Sequence, residues 1–219
     1  AKKRTLALSV REGSLWSVME GAGNTYIVPF AIFLKAGNFA IAALSTLPVL
    51  AGSLAQMGAA AWMDRRAGRD KAPTTGRRLS ILVPFVFAQA LAFAPLFLVP
   101  LVFPEIAIPA LIVFTALFAI AGSAVAPAWT SMMGDVVPAE TRGDYFGNRA
   151  RIVITAIFVA TVAAGLVLDA FERAGSAWYG FGVLFGLSLI ARLWSARLLQ
   201  RHYDAPYRPS RDADFSLWD

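Results

Sequence analysis

The residues of this chain that could do chemistry are few, and they sit in apolar surroundings. Glu20 lies inside a hydrophobic run with Asn24 four residues on, so on a helix the two share one face. A carboxylate at that depth is costly to keep charged, and it must be protonated, paired or open to water. Together the two side chains could line a polar cavity that binds a solute or passes a proton. Gln56 and Gln89 are single amides in two further apolar runs. Each could join that cavity or hydrogen-bond between helices.

Enzyme chemistry finds no foothold. There is no cysteine, which removes disulfides, thiolate catalysis and Cys-ligated metals. The single histidine, His202, falls in a polar tail and reads as a solvated side chain. Alone it makes neither a zinc site nor a catalytic triad. Gly21-Ala22-Gly23 lacks the third glycine of a dinucleotide loop, and no phosphate-binding loop with Gly-Lys-Ser/Thr exists. The expectation is therefore no catalytic residue, no metal and no cofactor.

The elements that must position Glu20 and Asn24 are long apolar segments, drawn at 14–34, 38–62, 79–101, 105–132, 149–170 and 176–198. A helix of about 20 apolar residues crosses a bilayer. Apolar residues make up 58% of the chain, charged residues 16%, and the mean hydropathy is +0.60. Of the 20 Lys and Arg, all but Lys35 and Arg173 fall on the N-terminus, the 2–3 connection, the 4–5 connection and the last helix end with its tail. Positive charge stays on the cytoplasmic side during insertion, so both termini are expected there. The net charge of +6 then belongs beside anionic headgroups and not on nucleic acid. The expected fold is all-α, a polytopic membrane protein of six transmembrane helices. Residues 1–13 read as a cytoplasmic lead-in, 14–198 as the bundle and 199–219 as a cytoplasmic tail. Within the bundle, the small residues from Ala119 to Ala128 mark a helix half packed closely against protein.

Two connections carry the sharpest patterns. One leaves the second segment as Ala60-Ala61-Trp62-Met63-Asp64-Arg65-Arg66-Ala67-Gly68-Arg69. The other bridges the fourth and fifth and includes Asp135, Pro138, Arg142, Gly143 and Arg149. With six spans around them, they resemble the N-terminal half of a major facilitator superfamily permease. That family carries a G-x-x-x-D-R-x-G-R-type signature between helices 2 and 3, and a D-x-x-P-x-x-x-R-G-type stretch after helix 4. Ala60 stands in place of the first glycine, and Gly68 comes one residue late. The resemblance implies a half-bundle built as a 3+3 inverted repeat, in a bacterial-type inner membrane. It also implies a cytoplasmic gating cluster in which Asp64, Arg65 and Arg69 meet Arg142 or Arg149.

Two functions follow as expectations. In the first, the chain is the N-terminal half of a secondary transporter of small solutes. A second six-helix half or a homodimer partner would complete it for alternating access. In the alternative, it is a transporter-derived structural or assembly subunit held among other membrane subunits, without transport activity.

Overall fold

The computed structural model describes residues 2–69 and 76–206, with the side chains of 64, 66–69 and 77 also outside the described set. Every regular element among the described residues is helical. In chain order, α1 (Lys2–Val18) runs into a π-helical turn (Met19–Gly23), a 3₁₀ turn (Asn24–Tyr26) and α2 (Ile27–Phe33), forming one interrupted rod. Then come α3 (Asn38–Arg69), α4 (Arg77–Leu91), α5 (Phe93–Val102), α6 (Ala107–Val136), α7 (Arg142–Arg173) and α8 (Ala177–Leu199).

Five stretches are long and apolar enough to cross a membrane: Asn38–Met63, Arg78–Val102, Pro104–Val136, Ala139–Arg173 and Ala177–Leu199. The chain is a multi-pass membrane protein by this measure. The first rod falls outside the five, because it is broken into short pieces and carries charge along its first half. It also starts earlier than expected. Residues 2–13 are helical, and Thr5, Leu8, Ser9, Glu12 and Gly13 are buried against the bundle. The 4–5 connection is correspondingly shorter, with only Val137 to Thr141 lying between α6 and α7.

The outer surface is what lipid requires. Phe39, Leu166, Phe158 and Trp194 are 88%, 67%, 67% and 63% exposed. So much apolar surface on a chain of this size would aggregate in water. Between helices in lipid the hydrophobic effect contributes little, and close packing with hydrogen bonds must hold the bundle. Gly21 supplies such a contact. A Cβ there would lie 2.6 Å from the Ile157 carbonyl and 2.8 Å from the Ala160 Cβ, so the rod rests directly on α7. Ser17 Oγ donates to the Val153 carbonyl at 3.0 Å and Tyr26 OH to the Thr161 carbonyl at 2.8 Å, extending that seam. At the end of the bundle holding the α2–α3 turn, Phe30 is fully buried and meets Phe97, Trp178, Phe181 and Phe185 with ring centroids 4.9–6.3 Å apart. Aromatic pairs of this kind contribute about 0.5–1.5 kcal/mol each beyond their buried area.

The order of packing is specific. The first rod packs on α7 and α8, while α6 packs on α3, α4 and α5. The α4 and α5 pair meets α8 between those groups. Pro95 explains the short break at Ala92, since it withholds the amide that the Leu91 carbonyl would accept and its ring crowds that turn.

Candidate functional site

Glu20, Asn24, Gln56 and Gln89 all line one open groove of about 700 Å³ between the first rod, α3 and α6, with α4 at its back. Hydroxyls of Ser45, Ser53, Thr115 and Ser123 add to the lining, and Trp16 and Phe118 give it aromatic walls. Among the described residues, Glu20 is the only charged side chain in that lining.

Local backbone geometry puts Glu20 there. The rod leaves α-helical hydrogen bonding at Met19, passes through the π turn that contains Glu20, then tightens into 3₁₀ at Asn24. Pro29 contributes, because it has no amide for the Thr25 carbonyl and its ring disfavours a regular preceding turn. Asn24 Nδ2 donates to Glu20 Oε1, and the Thr25 hydroxyl donates to the Glu20 carbonyl at 3.0 Å. Single π turns inside α-helices are frequent at functional sites.

Behind the groove lies an ionic network that local sequence reasoning missed. Arg192 of α8 is 3% exposed, and its Nε donates to Gln89 Oε1 at 2.8 Å. Its Nη1 reaches Ser195 Oγ at 2.9 Å and Glu12 Oε1 at 3.4 Å. Ser195 Oγ also donates to Glu12 Oε1 at 2.9 Å. The other Glu12 oxygen faces Arg149 Nη2 at 3.5 Å. Arg149 in turn donates from Nε to Ser9 Oγ at 3.1 Å and lies 4.4 Å from the centre of the Trp129 ring. One carboxylate thus serves two guanidinium groups, tying the first rod to α7 and α8. Gln89 bonds between helices and lines the groove at once.

The charged connection residues distribute differently from the expected cluster. Asp64, Gly68 and Arg69 lie outside the described side chains, and Arg65 is exposed. Arg149 turns to Glu12 and Ser9, because the first rod runs past it as packed helix where a loose lead-in was expected. Arg142 Nη2 donates to the Gly134 carbonyl at 2.8 Å and stays exposed. Pro138 holds extended backbone between the helices, and no heavy atom lies near a Cβ built on Gly143.

Asp135 enters a second buried cluster around Arg78, which is 1% exposed. Arg78 Nη1 meets Asp135 Oδ2 at 2.7 Å and Ser131 Oγ at 3.0 Å, while its Nε meets Asp204 Oδ1 at 2.7 Å. Asp204 Oδ2 also accepts the backbone amide of Arg78 at 2.8 Å, so a tail carboxylate caps the first turn of α4. His202, expected to be solvated, is 5% exposed, and the Tyr203 amide next to it donates to Thr5 Oγ1 of α1 at 2.9 Å. The His202 Nδ1 pairs with the Leu198 carbonyl at 3.0 Å, and Nε2 is buried without a partner.

Among the described residues no three His, Cys, Asp or Glu side chains gather as a metal site would need. No known family model, curated protein or solved structure matches the chain.

Proposed function

We propose that this chain is the N-terminal six-helix half of a major facilitator-type secondary transporter, with the groove at Glu20 forming one wall of a solute path. The carrying observation is the convergence of Glu20, Asn24, Gln56 and Gln89 on one groove, at the point where the first rod leaves α-helical geometry. In broken membrane helices, freed backbone groups and side chains are what bind polar solutes near the midplane.

The packing order supports the 3+3 reading. Exchanging the first three rods with the last three maps the contact of rod one on α7 onto that of α6 on α3. The same exchange maps rod one on α8 onto α6 on α4 and α5, and leaves the meeting of α4 and α5 with α8 in place. On this reading the first rod is the sixth span, with its buried Glu12 carboxylate paired inside the bundle to Arg192 and Arg149. Both termini then face the cytoplasm of a bacterial-type inner membrane, where most of the cations lie. A second half-bundle closes the groove.

The test is solute uptake by vesicles containing the chain with whatever membrane chain co-purifies with it, read by mass spectrometry of retained small molecules. Uptake above empty vesicles that Glu20→Gln abolishes supports the assignment. Uptake unchanged in Glu20→Gln removes that residue from the mechanism. Absence of uptake from a chain held among unrelated subunits, with unaltered complex yield in the variant, favours the assembly-subunit role.

A further inference from the structure

A second groove, of about 450 Å³, opens on the lipid-facing surface between α4 and α8, far along α8 from the aromatic cluster. Its lining is Phe87 of α4 with Ile190, Leu193, Trp194, Arg197, Leu198 and Arg201. Ile190, Trp194, Arg197 and Arg201 follow one another at spacings of three or four residues, so they form a single stripe down one face. The stripe changes chemistry in order. It is aliphatic at Ile190, becomes an indole at Trp194, and is cationic at Arg197 and Arg201, where α8 ends at Leu199.

Both arginines are exposed, and neither guanidinium makes a hydrogen bond or ion pair with any described residue. Among the described residues, no acidic side chain lines the groove. Asp204, the nearest carboxylate in sequence, is 2% exposed and committed to Arg78 and the first turn of α4. The carbonyls at the end of α8 are already served by backbone amides: Gln200 N donates to Ala196, Arg201 N to Leu198 and His202 N to Leu199. The two arginines are therefore not needed as helix caps. Two unpartnered guanidinium groups one turn apart, above an apolar slot and beside an interfacial tryptophan, match the order of a phospholipid from headgroup to acyl chain.

We propose that this groove is a binding site for one anionic phospholipid. Its phosphate is held between Arg197 and Arg201, its glycerol lies at Trp194, and an acyl chain runs along Leu193, Ile190 and Phe87. A guanidinium fork suits phosphate oxygens better than a point charge does. The apolar slot distinguishes a lipid from free phosphate, which would use the arginines and leave Phe87 and Ile190 idle. Basic pockets between helices, at the level of the headgroups, are the usual form of such sites. The inference needs only that the chain spans a membrane and is independent of any transport role.

The experiment is native mass spectrometry of the detergent-purified protein, delipidated and titrated with dioleoyl phosphatidylglycerol, dioleoyl phosphatidylcholine or inorganic phosphate. One tightly retained phosphatidylglycerol is expected, ahead of phosphatidylcholine, with no phosphate adduct. Arg197→Gln with Arg201→Gln should weaken phosphatidylglycerol retention about twenty-fivefold, from about fivefold per arginine. Arg4→Gln with Arg11→Gln removes the same charge elsewhere and should retain the lipid. A thermal melt confirms that both pairs remain folded, as expected for exposed, unbonded side chains. Should the Arg197 and Arg201 pair fail to fold, Leu193→Trp fills the slot, leaves both cations, and is expected to lower retention. Equal retention by the Arg197 and Arg201 pair and the parent, or equal binding of the two lipids, would overturn the site. So would phosphate binding as tightly as the lipid.

Discussion

Neutralising Glu12 should unbalance the bundle more than any other single change in the first rod. Glu12 is 5% exposed and, among the described residues, is the only carboxylate bonded to Arg192 and Arg149. Glu12→Gln keeps an oxygen for Ser195 but leaves Arg192, 3% exposed, without its directly bonded carboxylate. Breaking a buried ion pair from one side costs about 3–5 kcal/mol. The two N···O distances, 3.4 and 3.5 Å, are long for charge-assisted bonds, which run nearer 2.8 Å. The lower end of the range therefore applies, and a loss of about 3 kcal/mol is expected. Arg192→Gln added to Glu12→Gln removes the stranded cation, so the double variant should regain about 1–2 kcal/mol against the sum of the singles. The assay is unfolding in mixed micelles by a rising fraction of sodium dodecyl sulfate, followed by tryptophan fluorescence. A Glu12→Gln protein within about 0.5 kcal/mol of the parent would refute this reasoning. So would strict additivity of the two substitutions.

Asp204→Ala should free the returning tail, since it deletes the α4 cap and one charge partner of Arg78 together. Faster trypsin cleavage after Arg201 would report the release, and an unchanged rate would argue against the tether. Burial holds the His202 imidazole below its ordinary value of 6.5, outweighing its bond to the Leu198 carbonyl. The unfolded chain therefore takes up the proton first as pH falls. The stability this group contributes is complete above about pH 6.5 and declines below it, down to the lower folded value. His202→Gln should flatten stability against pH in that window, as read by melts between pH 7 and 5.5. Gly21→Ala forces a Cβ to 2.6 Å from the Ile157 carbonyl and should cost about 1–3 kcal/mol. Gly37→Ala, with no heavy atom within 4 Å, should melt like the parent apart from the small backbone effect of losing a glycine.

The long helices were legible because continuous apolar runs end at charge. The run drawn at 176–198 appears as Ala177–Leu199, and that at 38–62 begins α3 at Asn38. The groove was legible in part, because Glu20, Asn24, Gln56 and Gln89 are conspicuous polar residues in apolar segments. What escaped was long-range. Arg192 counts as one more flanking cation until Glu12, 180 residues away, is brought against it. Helix 2–13 escaped because its buried face is built from Thr5, Ser9, Glu12 and Gly13, a composition that reads as loop. Its spacing was the available signal, since residues 5, 9, 12 and 13 share one face. His202 escaped because nothing in its neighbourhood announces that this segment packs back against α1.

The surplus residue in the π turn has a consequence for the angular phase of the first rod. One residue is about 100° of rotation and about 1.5 Å of rise. Below the turn, the rod is keyed to polar partners on α7 and α8 through Ser9, Glu12 and Ser17. Above it, the rod is keyed to an aromatic nest through Phe30. Inserting one further residue within 19–23, where the turn already absorbs one, would leave the lower key seated and swing α2 by about a quarter turn. Phe30 would leave Phe181 and Phe185, and Tyr26 would lose the Thr161 carbonyl. The two ends of the rod are set in phase by its irregular middle, so an added residue there is felt in the aromatic nest and not only where it is inserted.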